Sequence, residues 1–468
     1  MKQVNKNFIY NIIYQLFIYI VPLISIPYVS RVLGASNIGI YSYTYSIVYY
    51  FMLTAMLGIN NYGARTIAQC KDNKKERSEQ FFSIYYLQLI STILMILIYV
   101  IVVFLLNSEY KNIMLIQMIY LLSVLLDINW FYFGIEKFKL TITRNIIIKT
   151  LSLILIFIFV NENSDLWKYV LIMSSCALIS QAYLWLYIGK YTEKVKIKFL
   201  NIFGHLKKCI ILFVPVIAFC IYRVMDKTMI GALVGTEELG FYENAEKIIS
   251  IPVSIVTALG TVMLPYMSKN ANESNEEINK KILDTFELCF FVIFPLIIGL
   301  IIISNDFALV FFGKEFIKSG NIIRLLSVSI LFTSIANVIR TNYLIPKEKD
   351  DIYVKSTIFG AIINLVINLL LIPKYASYGA SIGTIVAEFI VMLYQIIMTK
   401  NDLNYRRIRF IGIKYFIKSV IMGLVIYIIG NFIDNSLIKL LIQILVAGAI
   451  YFICTYKYIK NDFFGKNN

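Results

Sequence analysis

Histidine is almost missing: the 468 residues contain one, His205. The six cysteines form no CxxC pair, and most lie in apolar runs. These two shortages exclude a zinc site of clustered Cys and His, and a disulfide framework. The cysteines read as small core residues. Charge is scarce too. Asp, Glu, Lys and Arg make up 15% of the chain against 59% hydrophobic residues, too little charge for a soluble protein of this length. There are no alternating short strands, which excludes a membrane β-barrel. The N-terminus has no small-residue cleavage pattern, so Phe8 to Val32 is expected to stay as a first span. No DxD metal motif occurs, and the longest outer loop, about Ser304 to Ser319, is short. Both facts argue against a membrane-embedded polymerase, glycosyltransferase or acyltransferase.

What remains is apolar sequence in repeated runs. About 20 helical residues cross a hydrocarbon core of ~30 Å. Fourteen such spans are expected, starting at 8–32 and 38–63 and ending at 411–431 and 437–458. The expected fold is therefore an all-α polytopic membrane protein. The net charge of +16 is not a nucleic-acid signal, because the positive residues sit in short loops. With a cytoplasmic N-terminus, 28 of the 44 Lys and Arg fall in inner segments and six in outer ones. This asymmetry never inverts along the chain, so both termini are expected in the cytoplasm of a multi-pass plasma-membrane protein.

The chain also repeats. Gly34-Ala-Ser-Asn-Ile-Gly39-Ile-Tyr41 resembles Gly235-Thr-Glu-Glu-Leu-Gly240-Phe-Tyr242, 201 residues later. Six spans separate the copies, so the repeats are parallel, related by a pseudo-two-fold axis along the membrane normal. The expected domains are an N-lobe (1–188), a basic linker (189–208), a C-lobe (209–398), and two further helices with a tail (399–468). The linker interleaves lysines with Phe199, Ile202, Phe203 and Leu206. It is expected along the inner membrane surface, held by anionic lipid.

Some charges fall inside spans. An ionised group there costs ~2.5–3.5 kcal/mol on insertion scales, so it faces a partner or a wet cavity. Arg144, Arg324, Lys414 and Lys418 lie near span ends and are expected to reach the headgroups. Glu243 and Lys247 are four apart and neutralise each other. Arg223 and Lys227 are one turn apart, and Asp226 can pair with only one of them. With Arg31 and Arg340 they form the expected cationic binding set; the alternative is a sealed ion network. Asp127 and Glu388 stand alone in spans, and with Asp226 they are candidates for ion coupling. For Asp127 and Glu388 the alternative is a structural hydrogen bond. Asn364 and Asn368 read as helix–helix glue, and Gly379 with Gly383 as a close-packing pair.

Three stretches then carry a resemblance. They are Pro27 to Tyr41, Asp226 to Lys247, and Tyr378-Gly379-Ala-Ser-Ile-Gly383-Thr384. In these the chain resembles the Wzx-type polysaccharide flippases of the multidrug/oligosaccharidyl-lipid/polysaccharide exporter superfamily. The resemblance implies two lobes working by alternating access. It implies a cargo of undecaprenyl-pyrophosphate bearing an oligosaccharide repeat unit, moved for capsule, exopolysaccharide or O-antigen assembly. It implies no enzyme activity, no cofactor beyond coupling to H+ or Na+, and a polysaccharide polymerase and export machinery as candidate partners. A drug–cation antiporter of the same superfamily is the alternative; it would show a net acidic cavity.

Overall fold

A computed structural model describes residues 2–70, 73–106, 108–196, 199–269 and 275–458. Every long element among them is a helix. In hydrocarbon the backbone has no water to bond, and a helix satisfies its own polar groups. In order they are α1 (Lys2–Met56), α2 (Ile59–Gln69), α3 (Lys74–Leu106), α4 (Lys111–Leu125) and α5 (Asn129–Gly134). Then come α6 (Phe138–Phe159), α7 (Leu166–Tyr191), α8 (Phe199–Gly204), α9 (Leu206–Leu233) and α10 (Thr236–Lys269). The last are α11 (Asn275–Phe311), α12 (Ile317–Ile339), α13 (Asp350–Met398), α14 (Tyr405–Gly430) and α15 (Ser436–Tyr458).

Ten helical stretches among the described residues are long and apolar enough to cross a membrane. Their outer faces are bare of polar cover: Leu186 is 75% exposed, Leu445 73% and Ile453 72%. Such a surface is stable only against lipid. Two of the ten, Val21–Gln69 and Asp350–Met398, are 49 residues long, too long for a single crossing. Both contain a break in helical backbone. In α1 it is at Gly34, with φ 74°. In α13 it is at Ala376, with φ 51°. Pro22, Pro27 and Pro373 lie inside these helices, but the non-helical residues are Gly34 and Ala376.

The chain divides into two compact units, Met1–Gly240 and Phe241–Asn468. In the first, the core gathers on Trp130, Phe131, Tyr132 and Phe81, all fully buried. Gly63 of α2 lies flat against the Trp130 ring, where any side chain would collide. Ile202 is buried in this same core and Leu206 packs against it. The linker is thus docked into protein at these two positions, while Phe203 stays exposed. In the second unit, Phe286, Phe290 and Phe294 recur every four residues along α11, so they form one stripe. Phe294 meets Phe416 of α14 at 5.7 Å between ring centres. The halves of α13 fold back on each other at Ala376. A Cβ on Gly379 would stand 2.5 Å from the Leu371 backbone, and one on Gly383 would strike the Asn368 side chain. The glycine pair is a close-packing device, as its spacing suggested.

Candidate functional site

In the first unit the α4–α5 helix breaks at residues 126–128. A break frees carbonyls, and at membrane depth each needs a donor. Gln88 of α3 donates its Nε2 to Val124 O (2.6 Å) and Asp127 O (2.9 Å). Trp185 Nε1 donates to Leu126 O at 2.9 Å. Trp130 Nε1 donates to Gln88 Oε1 at 3.0 Å, which fixes the carboxamide orientation. Asp127 sits on this scaffold. Its Oδ1 accepts from the Asn129 backbone N–H (3.0 Å) and from Asn129 Nδ2 (2.7 Å). Asn129 Nδ2 also donates to Gln181 Oε1 at 3.1 Å, and Arg144 Nη1 donates to the same oxygen at 3.2 Å. An acid and a base are thus joined through two carboxamides.

Arg144 was expected to reach the headgroups; it is instead 4% exposed and turned inward. Acceptors decide this. Gln181 and the Asn145 carboxamide, which takes Nε at 3.2 Å and Nη2 at 2.7 Å, offer the guanidinium what it would seek outside. Position in the span could not show that.

The α9 charges sit on a helix anchored to α1. Thr228 Oγ1 donates to Ser46 Oγ at 3.0 Å, and Gly231 packs beneath the Tyr43 ring. Asp226 is buried and Lys227 half-buried. Arg223 lies on α9, but its side chain is outside the described residues. Arg31 is exposed on α1, three residues before the Gly34 break.

In the second unit Arg340 opens a π-helical turn, Arg340–Leu344, directly after α12. Such turns are rare and frequent at functional sites. The guanidinium lies over the Tyr353 ring, 5.2 Å from its centre. Nη1 donates to Tyr353 OH at 3.3 Å and Nη2 to Asn337 Oδ1 at 3.4 Å. Its Nε is buried with no hydrogen-bond partner among the described residues. Among the described residues no carboxylate pairs with it, so none of them compensates its charge. Glu388 is half-buried on α13, one turn beyond Thr384, whose hydroxyl lies 3.2 Å from Tyr242 OH. Glu243 and Lys247 pair at 3.2 Å, as their spacing required. Asn368 Nδ2 donates to Asn364 Oδ1 at 3.0 Å. Three residues past Arg340, Tyr343 accepts a hydrogen bond from Lys349 Nζ at 2.9 Å.

Lys349 also pairs with Asp402 at 2.9 Å, outside the spans. Burial raises the Asp402 pKa, but the hydrogen bonds from Lys349 and Tyr343 outweigh it and hold the carboxyl below its usual value. The Tyr343 and Asp402 hydrogen bonds raise the pKa of Lys349. A depressed carboxyl contributes stability above its unfolded pKa of ~3.9 and loses it as pH falls through the folded value. Melting temperature is therefore expected to drop on acidification into that range, and Asp402→Asn to flatten the acid limb. An unchanged limb would show that the pair carries no pH dependence.

His205 is buried, with Nδ1 2.7 Å from Tyr62 OH. Burial, then the nearby Lys208, lowers its pKa, which favours a neutral ring. It borders a cavity of about 750 Å3 with Arg65, Glu76, Glu79 and Gln80. Sequence reasoning passed over this cavity, because α2, α3 and α9 bring its walls from distant positions.

A family model described as "Polysaccharide biosynthesis protein" matches residues 4–271, and one described as "Lipid II flippase MurJ" matches residues 225–447. A putative O-antigen transporter of Shigella dysenteriae is 23% identical over 383 residues, covering 81% of this chain and 95% of that protein. A second, from Escherichia coli K12, is 22% identical and covers 85% and 97%. Among solved structures, a lipid II flippase MurJ in an inward closed conformation superposes with a TM-score of 0.79 at 18% identity, over 97% of this chain and 99% of that one. The chain shares that fold.

Proposed function

The chain belongs to the polysaccharide biosynthesis protein family, and from that premise we propose that it is a flippase. It moves lipid-linked oligosaccharide repeat units from the inner to the outer leaflet by alternating access. The full-length relatives named as O-antigen transporters support this reading, as does the fold shared with a lipid flippase. The carrier we propose is undecaprenyl pyrophosphate, and the product a surface polysaccharide.

We read the two 49-residue stretches as pairs of spans and count α9 and α10 as two more, which makes fourteen. The lobes are 1–188 and 209–398, with both termini in the cytoplasm; the one-sided placement of Lys and Arg supports that orientation. Arg31, Arg223 and Lys227, and separately Arg340, contact the pyrophosphate. The observation that carries this is Arg340, a half-buried guanidinium with no carboxylate partner among the described residues. An anionic headgroup supplies the missing charge and bidentate acceptors. Asp127, Asp226 and Glu388 are the coupling candidates, for H+ or Na+.

Replacing Arg223 and Lys227 together, or Arg340 alone, by alanine should abolish or sharply cut surface polysaccharide at unchanged protein level. A lost contact to a charged group of about 2 kcal/mol lowers turnover of bound cargo roughly 30-fold. Undiminished polymer would remove these residues from the mechanism. Reconstitution with defined lipid-linked glycans under imposed ion gradients then identifies cargo and coupling ion.

A further inference from the structure

We propose that the second unit holds a resident anionic phospholipid of the bilayer, its phosphate on Arg406 and Arg409 and one chain in the cleft beneath them. This inference does not depend on the transport reading.

Two cavities meet at the start of α14. One, about 630 Å3, is walled by Phe290 and Phe294 of α11, Leu331 and Ile335 of α12, Ile396 of α13 and Phe416 of α14. The other, about 440 Å3, is bordered by Asn404, Arg406, Arg407 and Arg409, with Phe410 and Ile413 beside them. Arg406 and Arg409 line both. They are one helical turn apart, so they share a face and mark a boundary between a polar mouth and an apolar cleft.

The charge at this mouth is unspent. Arg406, Arg407 and Arg409 are all exposed, and among the described residues none has a carboxylate partner. Lys414, two turns further on, shows the contrast: it pairs with Glu287 at 3.1 Å. The cleft itself opens to the apolar exterior, where Ile413 is 50% and Phe416 46% exposed. Below the arginines, water finds no partners on the Phe and Ile walls of the cleft. An acyl chain fills it, and the forked guanidinium groups bind phosphate oxygens bidentately. Basic pockets between spans on the cytoplasmic side are where anionic headgroups collect. The Lys and Arg asymmetry puts this end of α14 on that side. The cleft draws on α11, α12, α13 and α14, so a bound lipid ties α14 to the rest of its unit.

The test uses the full chain in detergent with added phosphatidylglycerol or phosphatidylcholine, read by native mass spectrometry and thermal melting. Phosphatidylglycerol should be retained and should raise the melting temperature; phosphatidylcholine should do neither. Arg406→Gln with Arg409→Gln should weaken retention about 30-fold, the loss expected for two basic groups near an anionic surface. Arg406→Lys with Arg409→Lys should keep most of it. Gly412 lines the cleft, and a Cβ there would only touch the Phe290 ring at 3.4 Å. Gly412→Leu should therefore block the chain with the charges intact. If the glutamine variant does not assemble, the lysine and leucine variants carry the test. Equal retention of both lipids, or retention indifferent to all three variants, overturns the proposal. So does loss of a lipid-linked glycan from the variants while phosphatidylglycerol stays bound, since the occupant is then the cargo.

Discussion

Gln88→Leu is expected to cost the first unit about 3 kcal/mol or more, because one substitution orphans three buried groups at 1–3 kcal/mol each. The Val124 and Asp127 carbonyls lose their donor, and Trp130 Nε1 loses its acceptor. None of these can turn to water: Gln88 and Trp130 are fully buried, and the surroundings are aromatic. Leucine conserves most of the volume, so the loss reports hydrogen bonds and not a cavity. Trp130→Phe removes one of the three bonds and should cost less, although it also leaves a void. Thermal unfolding in detergent reads both. A Gln88→Leu protein that melts like the parent would mean that the helix break is held by something else.

The second large effect concerns the repeated turn. Within the first unit, a side chain on Gly39 would collide with the Thr236 carbonyl, and one on Gly240 with the Ala35 carbonyl. Residues 35 and 236 are 201 apart, as are 39 and 240, so the two contacts are one contact seen twice. Gly39 also meets the Gly240 nitrogen at close range: a Cβ would stand 3.0 Å away. Backbone presses on backbone here, and no flexible side chain can yield. Gly39→Ala or Gly240→Ala should each destabilise by about 1–3 kcal/mol, the range for overpacking. The double variant should cost clearly less than the sum, because one outward shift relieves both clashes. Strict additivity in the double-mutant cycle would show that the contacts yield independently. In transport assays the same variants should disfavour this conformation, in which the two turns touch.

Much of the fold was legible because its cause is local. Apolar runs, a helix-satisfying backbone and loops rich in Lys and Arg follow from composition along the chain. The glycine spacings were legible for the same reason: Gly379 and Gly383 four apart can only serve close approach on one helix face. The site was less legible. Glu243 and Lys247 could be paired from spacing, since both ride one helix. Arg144 could not be placed, because its acceptors include Gln181, 37 residues away on α7. Nor could it be read that no carboxylate among the described residues meets Arg340, since that depends on which acids the packing brings near.

The chain alone therefore determined a helical membrane protein, its repeat, and the identity of the charges that hydrocarbon would penalise. Tertiary structure decided which of those charges are satisfied: Asp127 and Arg144 through shared carboxamides, Lys414 by Glu287, and Arg340 by no carboxylate among the described residues. The reason is range. Burial of apolar surface is set residue by residue along a span, whereas compensating a charge needs a second group that only folding brings within a few ångströms.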